Sequence, residues 1–198
     1  WPMRIIGLDI AFCNVGVVSC HWDGQVLTLT SCETIVTTRH KKSEVVSDTL
    51  DNLRRAQIIH SALGETFKEV EPHLVAVEGQ SWPRKNPSSS IQMAQAWGAI
   101  APLLAGRPVI STPPQALKVA AWGTRDATKD QVHLGCLSQM KEPLWTQQVV
   151  DRCVPKKALQ EHCWDALGAV LAALRAPEFP LLAAAALHQP PWPPEQES

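Results

Sequence analysis

The chain has 198 residues, 45% of them hydrophobic, and a formal net charge of −1. That is enough for one domain with a proper core, and it excludes a disordered chain. No apolar run reaches the roughly 20 residues of a membrane span and no secretion leader is visible, so no membrane partner is expected.

Residues 4–9 and 15–22 read as apolar strands, and Asp23-Gly24 is a hairpin signal leading to a third strand over 26–31, with 33–38 as its extension. Arg39 to Glu44 is a charged loop. From Val46 the period becomes helical, through Leu50, Leu53, Ala56, Ile59 or His60, Leu63, Phe67 and Val70, with Pro72 after the stop. Leu74 to Glu78 is a buried strand, and its place after a helix implies a parallel crossover. Gly79 to Pro87 is a polar loop holding Trp82, Arg84 and Lys85. A small-residue-rich helix over 88–105 follows, then a strand over 107–111, a helix over 114–121, a loop holding Arg125, and a helix from Ala127 to about Met140 with Val132, Cys136 and Met140 on one face. Residues 142–156 read as irregular. Residues 157–174 form the last helix, with Leu167, Val170, Leu171 and Leu174 inward. The expected division is a domain over 3–176 and an Ala/Pro-rich tail over 177–198.

The six cysteines, at 13, 20, 32, 136, 153 and 163, include no C-x-x-C pair. That argues against a zinc ribbon and for a reducing, cytoplasmic compartment. The basic clusters Arg39-His40-Lys41-Lys42, Arg54-Arg55, Arg84-Lys85 and Lys156-Lys157 each read as solvated faces.

Three acidic positions stand out. Asp9 is the only charged group between Arg4 and His21, at the end of an apolar strand. A charge there is costly unless it is paired or holds a metal, although a lone Asp also caps turns. Glu78 ends a second apolar strand in the same way. Glu161-His162-Cys163-Trp164-Asp165 opens an apolar helix. Together these acids would make an oxygen-rich pocket suited to a hard divalent cation.

The element order is three antiparallel strands, helix, strand, helix, strand, then helices. It predicts an α/β fold of the ribonuclease H-like kind, with a five-stranded mixed sheet and helices on both faces. On this order the motifs resemble the RuvC family of Holliday junction resolvases, bacteriophage-type members included, over residues 4 to 175. Gly7-Leu8-Asp9 with Gly16 resembles the first catalytic motif, and Val75-Ala76-Val77-Glu78-Gly79-Gln80 the second. Residues 90–99 resemble the dimer helix. Gln115 to Lys118, then Gly123, Ala127, Lys129 and Val132, resemble the lysine-bearing region. His162-Cys163-Trp164-Asp165 resembles the closing motif. Three departures are visible: Ile10-Ala11 where the family often has Pro-Gly, one extra residue between Glu78 and Asn86, and His162 where many members have Asp.

The resemblance implies a homodimer that resolves Holliday junctions by paired symmetric nicks, leaving 5′-phosphate and 3′-hydroxyl ends. It implies two divalent ions about 4 Å apart, Mg²⁺ with Mn²⁺ as substitute or preferred ion, held by Asp9, Glu78, His162 and Asp165. Lys118 and Lys129 are implied as catalytic and phosphate-contacting residues, with a solvated helix face as the alternative. Trp82 is implied as a junction wedge, and Arg84, Lys85 and Arg125 as backbone contacts, against ordinary loop roles. His133 reads as a helix-face residue. Branched DNA, a junction-migration or replication partner, and the cytoplasm of a bacterial or phage-infected cell complete the expectation. The rivals are a broader nuclease cutting flaps, forks or hybrids; a sugar-kinase or actin-type half-domain, disfavoured by length and by the closing motif; and a non-catalytic DNA-binding relic, disfavoured by the intact acids.

Overall fold

The computed structural model describes residues 2–40, 47–79 and 87–187. Its centre is a five-stranded sheet in the order β3-β2-β1-β4-β5. β1 (Met3–Asp9) pairs antiparallel with β2 (Asn14–Trp22), which pairs antiparallel with β3 (Leu27–Val36). On its other side β1 runs parallel to β4 (Leu74–Glu78), and β4 parallel to β5 (Val109–Thr112). The predicted topology is present, and β3 runs unbroken through the suggested extension, with one register irregularity opposite Ser19 and Cys20.

Strand periodicity divides the core between two faces. Met3, Ile5, Leu74 and Ala76 face one layer, which holds α3 (Pro114–Trp122), α4 (Lys129–Ser138), α5 (Pro143–Cys153) and α6 (Lys157–Leu174). Ile6, Leu8, Val75 and Val77 face the other, which holds α1 (Asp48–Val70) and α2 (Pro87–Leu104). The odd-numbered face of β1 and the even-numbered face of β4 therefore carry Asp9 and Glu78 toward α6.

Two segments differ from the sequence reading. Residues 143–153 are helical: Pro143 supplies a first-turn φ, and Thr146, Val149 and Val150 form a buried stripe. The Ala-rich stretch after Pro177 forms α7 (Phe179–Leu187), with Phe179, Leu182 and Ala183 packed on the core, so the folded unit extends past residue 176. Residues 188–198 lie outside the described residues.

The inward face of α1 also differs. Its buried row is Asp51, Arg55, Ile59, Leu63 and Phe67, while Leu50 and Leu53 are exposed. Arg55, read as part of a solvated face, is 2% exposed. Its guanidinium stacks 4.3 Å over the Phe12 ring and donates to Thr37 Oγ1 at 3.0 Å and Cys13 Sγ at 3.1 Å. These contacts hold the turn that follows Asp9.

Candidate metal centre

Asp9 is the last residue of β1 and lies opposite Gly16 on β2. Leu8 pairs with Val77, so Asp9 and Glu78 end neighbouring parallel strands side by side. α6 then crosses β1 and β2 at very short range. A Cβ on Gly7 would strike the Ala166 carbonyl, and a Cβ on Gly16 would overlap the His162 carbonyl and lie 2.8 Å from the His162 Cβ. Hydrogen at these two positions lets the helix sit low enough for His162 and Asp165, three apart on one face, to reach the strand ends.

Oxygens of Asp9, Glu78 and Asp165 all lie within 4.8 Å of one another, the one such metal-ligand cluster among the described residues. His162 sits at its edge, with Nδ1 2.8 Å from Asp9 Oδ2. Lys129 places its ammonium against Asp165 Oδ2 and 3.9 Å from Glu161. All three acids predicted from the sequence therefore meet, and His162 and Lys129 meet them.

The electrostatics follow from crowding and burial. Burial, then the charges of Asp9 and Asp165, push Glu78 up to about 8, with Lys129 opposing. Burial also raises Asp165, against its bond to Lys129. The hydrogen bond to Asp9 raises His162 despite burial. Burial disfavours the Lys129 charge, yet the bond to Asp165 and the nearby carboxylates outweigh it and raise its pKa. Burial first, and the neighbouring carboxylates second, leave a proton on Glu78 where an isolated glutamate would lose it. A divalent cation relieves the repulsion among the carboxylates, and an all-oxygen donor set fits a hard one. Because an ionised Asp9 can only accept, His162 Nδ1 is the donor, which leaves Nε2 as the ring's available lone pair when the imidazole is neutral.

The other predicted positions are more scattered. Lys118 is half-buried on α3 and makes no hydrogen bond or ion pair among the described residues. Arg125 is exposed in the loop before α4. Trp82, Arg84 and Lys85 lie outside the described residues. His133 does more than occupy a helix face: its ring stacks on Trp164 at 4.3 Å and its Nε2 meets Gln147 Oε1 at 2.7 Å. The partner of that bond stands on α5, a helix absent from the sequence reading.

The sequence profile described as crossover junction endodeoxyribonuclease RuvC matches residues 5–142. A protein of that name from Rhodospirillum rubrum is 38% identical over 87 residues, covering 43% of this chain and 51% of its own length, so the chain spans about half of that relative. Another of that name, from Polynucleobacter necessarius, is 30% identical over 132 residues, covering 66% of this chain and 71% of its own length. Among solved structures, Thermus thermophilus RuvC in complex with a Holliday junction substrate superimposes with a TM-score of 0.64 at 22% identity, over 87% of this chain and 93% of that one. At that identity the likeness is one of fold. The profile match ends before α6, so it is the geometry that adds His162 and Asp165 to the site.

Proposed function

We propose that this chain, which belongs to the RuvC family of crossover junction endodeoxyribonucleases, resolves four-way DNA junctions by metal-dependent hydrolysis of one phosphodiester per active site. The observation that carries the reading is the meeting of Asp9, Glu78 and Asp165 at one point beside the middle of the sheet. Asp9, Glu78 and Asp165 would hold the metal, with His162 Nε2 as a further donor. Two divalent ions would supply an activated water and relieve the charge that builds on phosphorus. Mg²⁺ suits the carboxylates, and the imidazole favours Mn²⁺ as an alternative.

The chain's own groups have separable tasks. Asp9, fixed by His162, presents a defined oxygen to the site. Lys129 neutralises Asp165 and stands where a scissile-strand phosphate would be drawn in. Lys118, uncommitted to any described acid, and Arg125 are available for backbone phosphates. On sequence grounds Trp82 remains assigned to the junction centre, and Arg84 and Lys85 to the DNA backbone. The free cysteines fit work in a cytoplasm.

Symmetric cutting calls for a two-fold dimer with one site per subunit. The outward face of α2 supports this, because Ile91, Ala94, Gly98 and Ala101 are exposed along one stripe and a Cβ on Gly98 would meet nothing within 4 Å. Twice the chain mass in light scattering is expected, and a monomer at the concentrations that cut would remove the paired-nick model.

The direct test is nicking of a synthetic four-way junction with Mg²⁺, with Mn²⁺ and with chelator. Paired nicks on opposite strands are expected only with metal, and D9N should bind the junction without cutting it. Cutting in chelator, or by D9N, would overturn the metal reading. Equal rates on three-way, flap and hybrid substrates would replace junction resolution with a broader nuclease.

A further inference from the structure

A cleft of about 340 Å³ opens beside the carboxylate cluster, between α4 and the start of α6, and shares Lys129 and Asp165 with it. The stacked rings of His133 and Trp164 form part of its wall. Trp164 is 4% exposed, so His133 is the ring that can be touched from the cleft.

The hydrogen bonds around His133 assign its tautomer. Gln147 Nε2 donates to Asp151 Oδ1 at 3.0 Å, and a carboxylate can only accept. Gln147 therefore presents Oε1 to His133, and His133 Nε2 must be the donor of that 2.7 Å bond. In the neutral ring, Nδ1 then carries a lone pair, and it has no hydrogen-bond partner among the described residues. The ring is held on one face by Trp164 and at one edge by Gln147, with an acceptor left over.

The charges of the cleft decide what it can take. Asp130, Glu161 and Asp165 line it together with Lys129 and Lys157. Lys129 is committed to Asp165 and Glu161, and Lys157 lies 3.7 Å from Asp151. A phosphate seated inside the cleft would face three carboxylates against two lysines, each of which already has an acid beside it. A neutral, planar group carrying a hydrogen-bond donor meets neither objection. A strand that lays a phosphate on the carboxylate cluster must place a nucleoside on either side of it, and the cleft adjoins that point.

The geometry points to a base-reading subsite: the cleft seats a nucleobase next to the scissile phosphate, and His133 Nδ1 accepts from its exocyclic amino group. Adenine, cytosine and guanine carry such a group and thymine does not. The subsite rests on the nuclease reading above and deepens it by assigning a sequence preference to a named side chain.

The test uses the full chain and a set of four-way junctions that differ only in the bases flanking the cut. At one flanking position the unaltered protein should cut amino-bearing bases about tenfold faster than thymine, the equivalent of one well-made hydrogen bond. H133F keeps a ring on Trp164 but loses both nitrogens, and it should bring the rate on the preferred junctions down to the thymine level. H133N, which keeps an acceptor near Nδ1, should restore part of the preference. As a measurement that needs no variant, an abasic residue at the same position should slow the unaltered protein by a similar factor. A preference that survives in H133F would overturn the subsite, as would indifference of the unaltered protein to both base identity and base removal. Failure of the unaltered protein to cut any junction with metal present would instead overturn the nuclease reading itself.

Discussion

The imidazole of His162 reaches across from α6 and meets the carboxylate of Asp9, the end of β1, with Nδ1 2.8 Å from Oδ2. A helix residue therefore orients an acid on the central strand before any metal arrives. Truncating it in H162A leaves Asp9 free to rotate and removes the Nε2 lone pair. The metal concentration for half-maximal cutting should rise about 10- to 100-fold, in line with the loss of a ligand or of the group that orients one. A metal titration of the cleavage rate checks this. An unchanged midpoint would reduce His162 to a packing residue.

Glu78 gives the site its pH dependence. Its ordinary value of 4.5 is pushed up to about 8 in the fold, chiefly by burial. Between those values the folded chain keeps a proton that the unfolded chain releases. Without metal, stability should therefore fall as pH rises from about 5 to about 8. Metal must displace that proton, so its apparent affinity should rise with pH over the same window, by up to about tenfold per unit, and level off above about 8. Thermal melts in chelator and calorimetric metal titrations across this range test both signs. E78Q should flatten the melting curve against pH while abolishing tight metal binding.

The sheet order and the three acids were legible in the sequence because each is written locally. A strand that ends in a lone carboxylate is a short-range pattern, and a three-residue helical spacing is another. What was not legible depends on what a side chain packs against. Arg54 and Arg55 look alike in the sequence, yet Arg54 pairs with Asp51 at 2.7 Å near the surface while Arg55 is enclosed by Phe12, Cys13 and Thr37. A row at four-residue spacing from Asp51 through Ile59 to Phe67 is present as a signal, but its first members are charged and Leu50 and Leu53 compete for the same face. Helix α5 is hidden similarly, since its buried stripe of Thr146, Val149 and Val150 is short and the helix itself begins at a proline.

That enclosed arginine yields its own prediction. R55A would remove the donors to Thr37 and to the Phe12 carbonyl, and would open a cavity beside the turn after Asp9. A cost of about 3 kcal/mol is expected from urea unfolding. R55K keeps the charge but not the planar fork, and it should recover only part of that loss. A neutral R55A would mean that the turn is held by other contacts.

The sharpest geometric claim concerns Gly16. Its missing Cβ is the space into which the first turns of α6 descend, and the obstruction is the His162 backbone, which has no flexible end to swing aside. G16A must lift the helix or bend β2. Either movement separates His162 and Asp165 from Asp9. A stability loss of about 1–3 kcal/mol is expected for overpacking of this kind, together with a fall in cutting rate far larger than that loss explains. The control is Gly64 inside α1, where an added Cβ would come no closer than 3.9 Å to Leu103. G64A should leave cutting unchanged and raise stability by about 0.5–1 kcal/mol through helix propensity. Paired melts and junction-cleavage rates for the two variants separate a general intolerance of alanine from a helix-to-strand approach that the metal centre requires. If G16A cut at the unaltered rate, α6 could not owe its catalytic position to that glycine.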